Sequence, residues 1–141
     1  MIRPLERFTR NSYPGVFCAV VILLLTGLPG SCLPKVKPAL GIDKIAHLLM
    51  YFGLAFLCLW GYRKPYQERE TAFRRKACWL TLAISILYGA LTEVMQEFLV
   101  PGRVGSVYDW LADLIGAVIG VLLFVFLYQK GNKLKNEAFH K

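Results

Sequence analysis

Long apolar runs alternate along the chain with short polar breaks rich in proline, glycine or basic residues. Four runs stand out. The first, around VFCAVVILLL, covers 13–28, the second, IAHLLMYFGLAFLCLWGY, covers 45–62, and the third and fourth cover 77–100 and 107–128. A hydrocarbon core of about 30 Å requires about 20 helical residues, so the last three runs can span a bilayer and the first is marginal. The pattern predicts an all-α fold, a four-helix transmembrane bundle. One membrane domain would occupy 13–129, between an amino-terminal segment, 1–12, and a polar tail, 130–141, expected to fray.

Composition agrees with that solvent. The chain is 56% hydrophobic with a mean hydropathy of +0.47, above the roughly 45–50% apolar content of soluble domains. A net charge of +8 would point to nucleic acid in a soluble protein. Here the basic residues flank the runs, so no nucleic-acid partner is expected. Arg3, Arg7 and Arg10, then Arg63, Lys64, Arg69, Arg74, Arg75 and Lys76, then Lys130, Lys133, Lys135 and Lys141 fall on one side. Lys35, Lys37, Lys44 and Arg103 fall on the other. The positive-inside rule then puts both termini in the cytoplasm of a multi-pass membrane protein. The outer connections are PGSCLPKVKPALGIDK, stiffened by Pro29, Pro34 and Pro38, and the short PGRVGS.

The first run also has features of a signal peptide: three arginines, a short apolar core, then small residues. A retained helix is the reading adopted, because Pro29 stands in LPGSC where a lipoprotein box would have leucine. Cys18, Cys58 and Cys78 lie in or at the edge of apolar runs and act as small hydrophobes. Cys32, expected outside, has no intramolecular partner, so no disulfide framework is expected.

The informative residues are the polar ones inside these runs. With the third helix running outward and the fourth back inward, Glu93 and Asp113 each lie about 10 Å below the PGRVGS turn, at 1.5 Å per residue. His47 lies about one turn into the second helix and completes a deep tier. Asp43, Glu97, Arg103 and Asp109 form a tier nearer water. Ser85, Gly89, Glu93 and Glu97 recur at four-residue steps, with Gln96 alongside. Asp109, Ala112, Asp113, Gly116 and Gly120 form a matching stripe on the fourth helix, and Asp43, His47 and Tyr51 one on the second. Small residues permit close helix approach in lipid, so Ser85, Gly89, Ala112, Gly116 and Gly120 are packing candidates. The acidic stripes that continue into them should face the bundle interior.

Carboxylates at mid-bilayer cost about 2.5–3.5 kcal/mol each on insertion scales, and less near the rim. Asp43, Glu93, Glu97, Asp109 and Asp113 against Lys44 and Arg103 leave a formal charge of −3 with His47 neutral. Protonation, a bound cation or a cationic ligand group must offset it. A purely structural pairing of Glu93 with Arg103 or His47 is the competing explanation.

Three segments, DKIAHLLMYFGLAFL (43–57), EVMQEFLVPGR (93–103) and DWLADLIGAVIG (109–120), resemble the VanZ-like family of small bacterial membrane proteins. The resemblance covers most of the chain from the second helix onward. It implies Asp43, His47, Tyr51, Glu93, Gln96, Arg103, Asp109, Gly116 and Gly120 as family positions. Asp113 stands where many relatives have asparagine, which makes this site more acidic. The family's namesake is associated with resistance to teicoplanin, a lipid-tailed glycopeptide. That association gives no molecular mechanism to carry over.

The residue types leave several chemistries open. His47, Asp43 and Glu93 include ligand types for a divalent cation, although no cofactor is required. Glu93 as a proton carrier with Arg103 holding a phosphate would suit an enzyme acting on lipid headgroups. No serine or cysteine nucleophile occurs in a recognised setting, however, and Ser85 and Ser106 read as packing and turn residues. Trp60, Tyr62, Trp79, Tyr108, Trp110 and Tyr128 sit near run ends, as an aromatic belt would. The leading expectation is a non-enzymatic cell-envelope factor with an acidic outer-leaflet pocket. It would bind an amphiphile, either a lipid-linked cell-wall precursor or a cationic amphiphilic drug. Asp43, His47, Tyr51, Glu93, Gln96, Glu97, Arg103, Asp109 and Asp113 are its ligand-binding candidates. A headgroup enzyme and a proton- or cation-coupled transporter are the alternatives, the last requiring a homodimer.

Overall fold

The computed structural model describes the backbone of residues 4–32 and 41–139, and the side chains of 11–31 and 41–128. Arg3, Pro34, Lys35, Lys37, Pro38 and Lys141, and the side chains of Arg7, Arg10, Cys32, Lys130, Lys133 and Lys135, lie outside those residues. Among the described residues all regular structure is helical. The helices are α1 (Pro4–Thr26), α2 (Ile42–Gly61), α3 (Arg63–Glu68), α4 (Thr71–Leu99) and α5 (Val107–Phe139), with a 3-10 turn at Gly30–Cys32.

Three helical segments are long and apolar enough to cross a membrane: Ile42–Gly61, Thr71–Leu99 and Val107–Tyr128, of 20, 29 and 22 residues. The apolar part of α1, Asn11–Thr26, is shorter, in line with the marginal first run. The exterior suits hydrocarbon. Leu87, Leu91, Phe98 and Leu122 are each more than 60% exposed, which would form an apolar surface far larger than a soluble monomer carries.

Helix α2 is central: it packs most extensively on α5 and also contacts α1 and α4, while α4 leans on α5. Glycines set these separations. A β-carbon on Gly116 would collide with the Leu48 carbonyl oxygen, and one on Gly120 would lie 2.5 Å from that of Phe52. Helices α2 and α5 thus meet backbone to backbone along the G-x-x-x-G step. On the other side of α2, a β-carbon on Gly61 would strike the Asn11 carbonyl oxygen of α1. Ser12 Oγ and Tyr62 Oη share a hydrogen bond of 2.8 Å there. The Tyr88 hydroxyl of α4 donates to the Ala19 carbonyl of α1 at 2.6 Å. One buried cluster joins Ala55, Leu59, Tyr66, Ala117, Val121 and Phe124, and a second joins Ile22, Tyr51 and Leu54.

The connection between α4 and α5 begins with a tight turn. Pro101 precedes Gly102, whose φ is +73°, and the Arg103 N–H donates to the Val100 carbonyl. Proline then a positive-φ glycine at the central positions is the type II pattern. The Gly30 N–H donates to the Pro101 carbonyl at 3.1 Å, so the end of α1 is tied to the same end of the bundle as this turn.

Three departures from the sequence pattern have physical causes. Helix α2 starts three residues before the apolar run, with Asp43 in its first turn, where a carboxylate favours the helix dipole. The polar break at 63–76 contains α3 and the start of α4. Pro65 is tolerated because it lies in the first turn of α3. Tyr66 is buried edge-on against Phe124 at 5.1 Å, and Arg74 donates to the Tyr66 and Gln67 carbonyls. Finally, α5 runs past the apolar run as far as Phe139, since the lysine, leucine, glutamate and alanine there are strong helix formers.

Candidate functional site

The site is assembled where α2, α4 and α5 meet, below the 101–106 turn. On α2, Asp43, His47 and Tyr51 are four residues apart and share a face, and Asp43 is the exposed member. His47 is 2% exposed, Asp113 of α5 is 1% exposed, and Glu93 of α4 is 8% exposed. His47 Nδ1 lies 3.0 Å from Asp113 Oδ1 and 3.7 Å from Glu93 Oε1. The first is a hydrogen bond, and the second exceeds hydrogen-bonding distance. These three deep residues come together from helices remote in sequence.

Nearer the turn, Lys44 Nζ pairs with Asp109 Oδ1 at 2.8 Å. Asp43, His47 and Asp109 each place one donor atom within 4.8 Å of the others, as do His47, Glu93 and Asp113. His47 therefore belongs to two groups, one at the rim and one buried. Lys44 enters the charge balance of the sequence but is not among its ligand candidates. Its pairing follows from its position one residue after Asp43, on the side of α2 that meets the start of α5.

Other candidates have structural partners outside this cluster. The Tyr51 hydroxyl lies 2.8 Å from Thr92 Oγ1, which itself donates to the Gly89 carbonyl. A hydroxyl has one proton to give, so Tyr51 donates to Thr92. Gln96 Nε2 donates to the Thr26 carbonyl at 3.3 Å, linking α4 to α1. Glu97 is exposed, and its Oε2 accepts the Gly105 N–H at 2.7 Å. Glu93 Oε2 accepts the Ser106 N–H at the same distance. Two carboxylates of α4 thus hold the chain as it enters α5. Arg103 forms no ion pair with a carboxylate among the described residues, and its buried Nε has no hydrogen-bond partner.

Small residues shape the wall of the cluster. A β-carbon on Gly89 would lie 3.0 Å from Asp113 Oδ2 and 3.3 Å from the Trp110 ring. The Trp110 indole N–H donates to the Ile86 carbonyl at 3.2 Å, so this ring closes the seam between α4 and α5. Ala112 and Ser85 are buried nearby on the two helices. Trp79 and Tyr108, exposed by 69% and 71%, sit where an aromatic belt would place them. Thr92 was not picked out by sequence reasoning, although it lies four residues before Gln96 on the same stripe.

Chemically, the deep cluster offers an imidazole and two carboxylates held away from solvent. Glu93 Oε1 and Asp113 Oδ2 are buried without a hydrogen-bond partner. Leaving buried carboxylate oxygens unpaired is costly, so the arrangement suits a proton, a cation or a cationic group between them.

The family model described as VanZ/LLP1 matches residues 6–128. No curated protein and no solved structure matches the chain. The matched segment takes in α1 through the membrane-length part of α5, every helix that builds the cluster included, and this membrane protein belongs to the VanZ/LLP1 family.

Proposed function

We propose that the chain is a non-enzymatic cell-envelope factor of the bacterial inner membrane, both termini cytoplasmic, that binds the headgroup of an amphiphile in its outer leaflet. The observation that carries this reading is the acid excess around His47. Glu93 and Asp113 are buried beside it with no lysine or arginine ion pair among the described residues, and only Asp109 has one, from Lys44. A cationic headgroup would offset that excess. Asp43, exposed at the rim, would meet it first, and Arg103 would contact an anionic neighbour such as a phosphate. The apolar outer surfaces of α2, α4 and α5 would keep the acyl tail in lipid.

The test is ligand-induced thermal stabilisation of the purified full chain, with a lipid-linked cell-wall precursor and a cationic amphiphilic drug as probes. Stabilisation lost in a folded Glu93→Gln variant supports the reading. Wild-type protein that neither probe stabilises rejects it. The hydrogen bond between His47 and Asp113 favours a second reading, an enzyme acting on lipid headgroups with an oriented imidazole base. Turnover of lipid by the purified protein, abolished by His47→Ala, would select that reading.

A further inference from the structure

We infer that His47, Glu93 and Asp113 seat one divalent first-row metal ion, of the zinc or manganese type, through an imidazole nitrogen and two carboxylate oxygens. One donor atom from each residue lies within 4.8 Å of the other two. The spacings about His47 suit a shared ion. Metal–ligand bonds of about 2.1 Å set neighbouring donors about 3.0–3.4 Å apart in octahedral or tetrahedral geometry. His47 Nδ1 is already 3.0 Å from Asp113 Oδ1, and its 3.7 Å separation from Glu93 Oε1 would close by a few tenths of an ångström around an ion.

Independent of the acidic cluster itself, the free valences point to a ligand. Glu93 Oε1 and Asp113 Oδ2 are buried without hydrogen-bond partners, on residues 8% and 1% exposed. Glu93 Oε1 lies within the donor trio, and its sister oxygen is anchored on the Ser106 N–H. Asp113 is confined by the close approach of Gly89. Glu93 is thus anchored by a backbone N–H, and Asp113 packs against the Gly89 backbone. Charge agrees: with His47 neutral the two buried carboxylates carry −2, which one divalent ion cancels, leaving exposed Asp43 at the rim to meet the cationic headgroup of the proposed function.

Donor chemistry narrows the ion. Calcium takes six to eight oxygens, and magnesium prefers an octahedral shell with much of its water retained. A site with one imidazole and two carboxylates is mixed, intermediate between the nitrogen preference of zinc and the oxygen preference of manganese. The rim carboxylates of Asp43 and Asp109, grouped with His47 within 4.8 Å, can support the imidazole as carboxylates commonly do around metal-bound histidines.

The experiment strips the full chain in detergent with chelator and titrates it with Zn²⁺, Mn²⁺ or Co²⁺ alone. The expected result is one ion per chain, with a Co²⁺ visible spectrum characteristic of nitrogen and oxygen donors. Asp113→Asn and His47→Gln should each weaken binding by about tenfold or more, while Glu68→Gln, exposed at the end of α3, should not. Wild-type protein that takes up no ion overturns the inference. So does uptake that both site variants retain. If His47→Gln does not fold, the isosteric Asp113→Asn and the wild-type Co²⁺ spectrum decide. Amphiphile binding by protein that takes up no metal overturns this inference alone, and metal uptake without amphiphile binding rejects only the proposed function.

Discussion

Gly116 of α5 lies directly against the Leu48 carbonyl of α2, one residue along the chain from His47. That backbone contact sets the distance at which Asp113, three residues before Gly116, reaches the imidazole. Packing and site are therefore a single structural unit: what separates the helices also disperses the donors.

Gly116→Val should test this unit. The added branches have no space against the α2 backbone, and small-to-large changes in packed interiors cost about 1–3 kcal/mol. The expected outcome is a lower thermal unfolding midpoint in detergent, with loss of any cation binding. An unchanged midpoint would mean that α2 and α5 do not approach this closely.

Asp113→Asn removes one charge and preserves the side chain's shape. It is expected to leave the fold intact, read as an unchanged helical circular-dichroism spectrum, and to reduce affinity for cationic probes. If instead the protein becomes unfolded or fails to insert, the carboxylate's role is structural.

Lys44→Met leaves Asp109 without its 2.8 Å partner. The rim becomes more acidic, so a cationic amphiphile should bind more tightly, and the gain should diminish as salt screens exposed charges. Isothermal titration at low and high ionic strength checks both parts.

Tyr88→Phe removes the hydroxyl that donates to the Ala19 carbonyl. The expected cost is about 1 kcal/mol or less, the usual worth of one such bond between helices. It would be read by equilibrium unfolding in mixed micelles. A truncated chain lacking residues 1–28 should lose far more, because the α1 packing at Asn11, Gly15 and Ile22 is lost with it.

Orientation is accessible to chemistry. In a variant whose native cysteines are replaced by alanine, Val104→Cys, 77% exposed in wild type, should react with a membrane-impermeant thiol reagent in intact cells. Lys64→Cys should react only after lysis. The reverse pattern would place the 101–106 turn in the cytoplasm.

Much of the fold was legible because solvent leaves a coarse trace in a chain. A run such as 107–128 can only be helical in hydrocarbon, where each peptide group must satisfy its hydrogen bonds within its own segment. Helical periodicity also placed Glu93 and Asp113 on the same stripes as Gly89 and Gly116. Helix α3 was hidden because its six residues are too few to show periodicity, and Tyr66 is buried by residues outside that helix, Leu59 and Phe124 among them.

The sequence by itself determined the class of molecule, the faces of α2, α4 and α5 that carry ionisable groups, and the shared depth of those groups. These depend on hydropathy and helical pitch, which are local. Tertiary structure alone decided which carboxylate each donor meets: Asp113 takes His47, Asp109 takes Lys44, and Glu97 takes a backbone amide in the turn. Helix rotation and the backbone contacts at Gly116 and Gly120 make that choice, and a one-dimensional pattern carries no information about distances between helices.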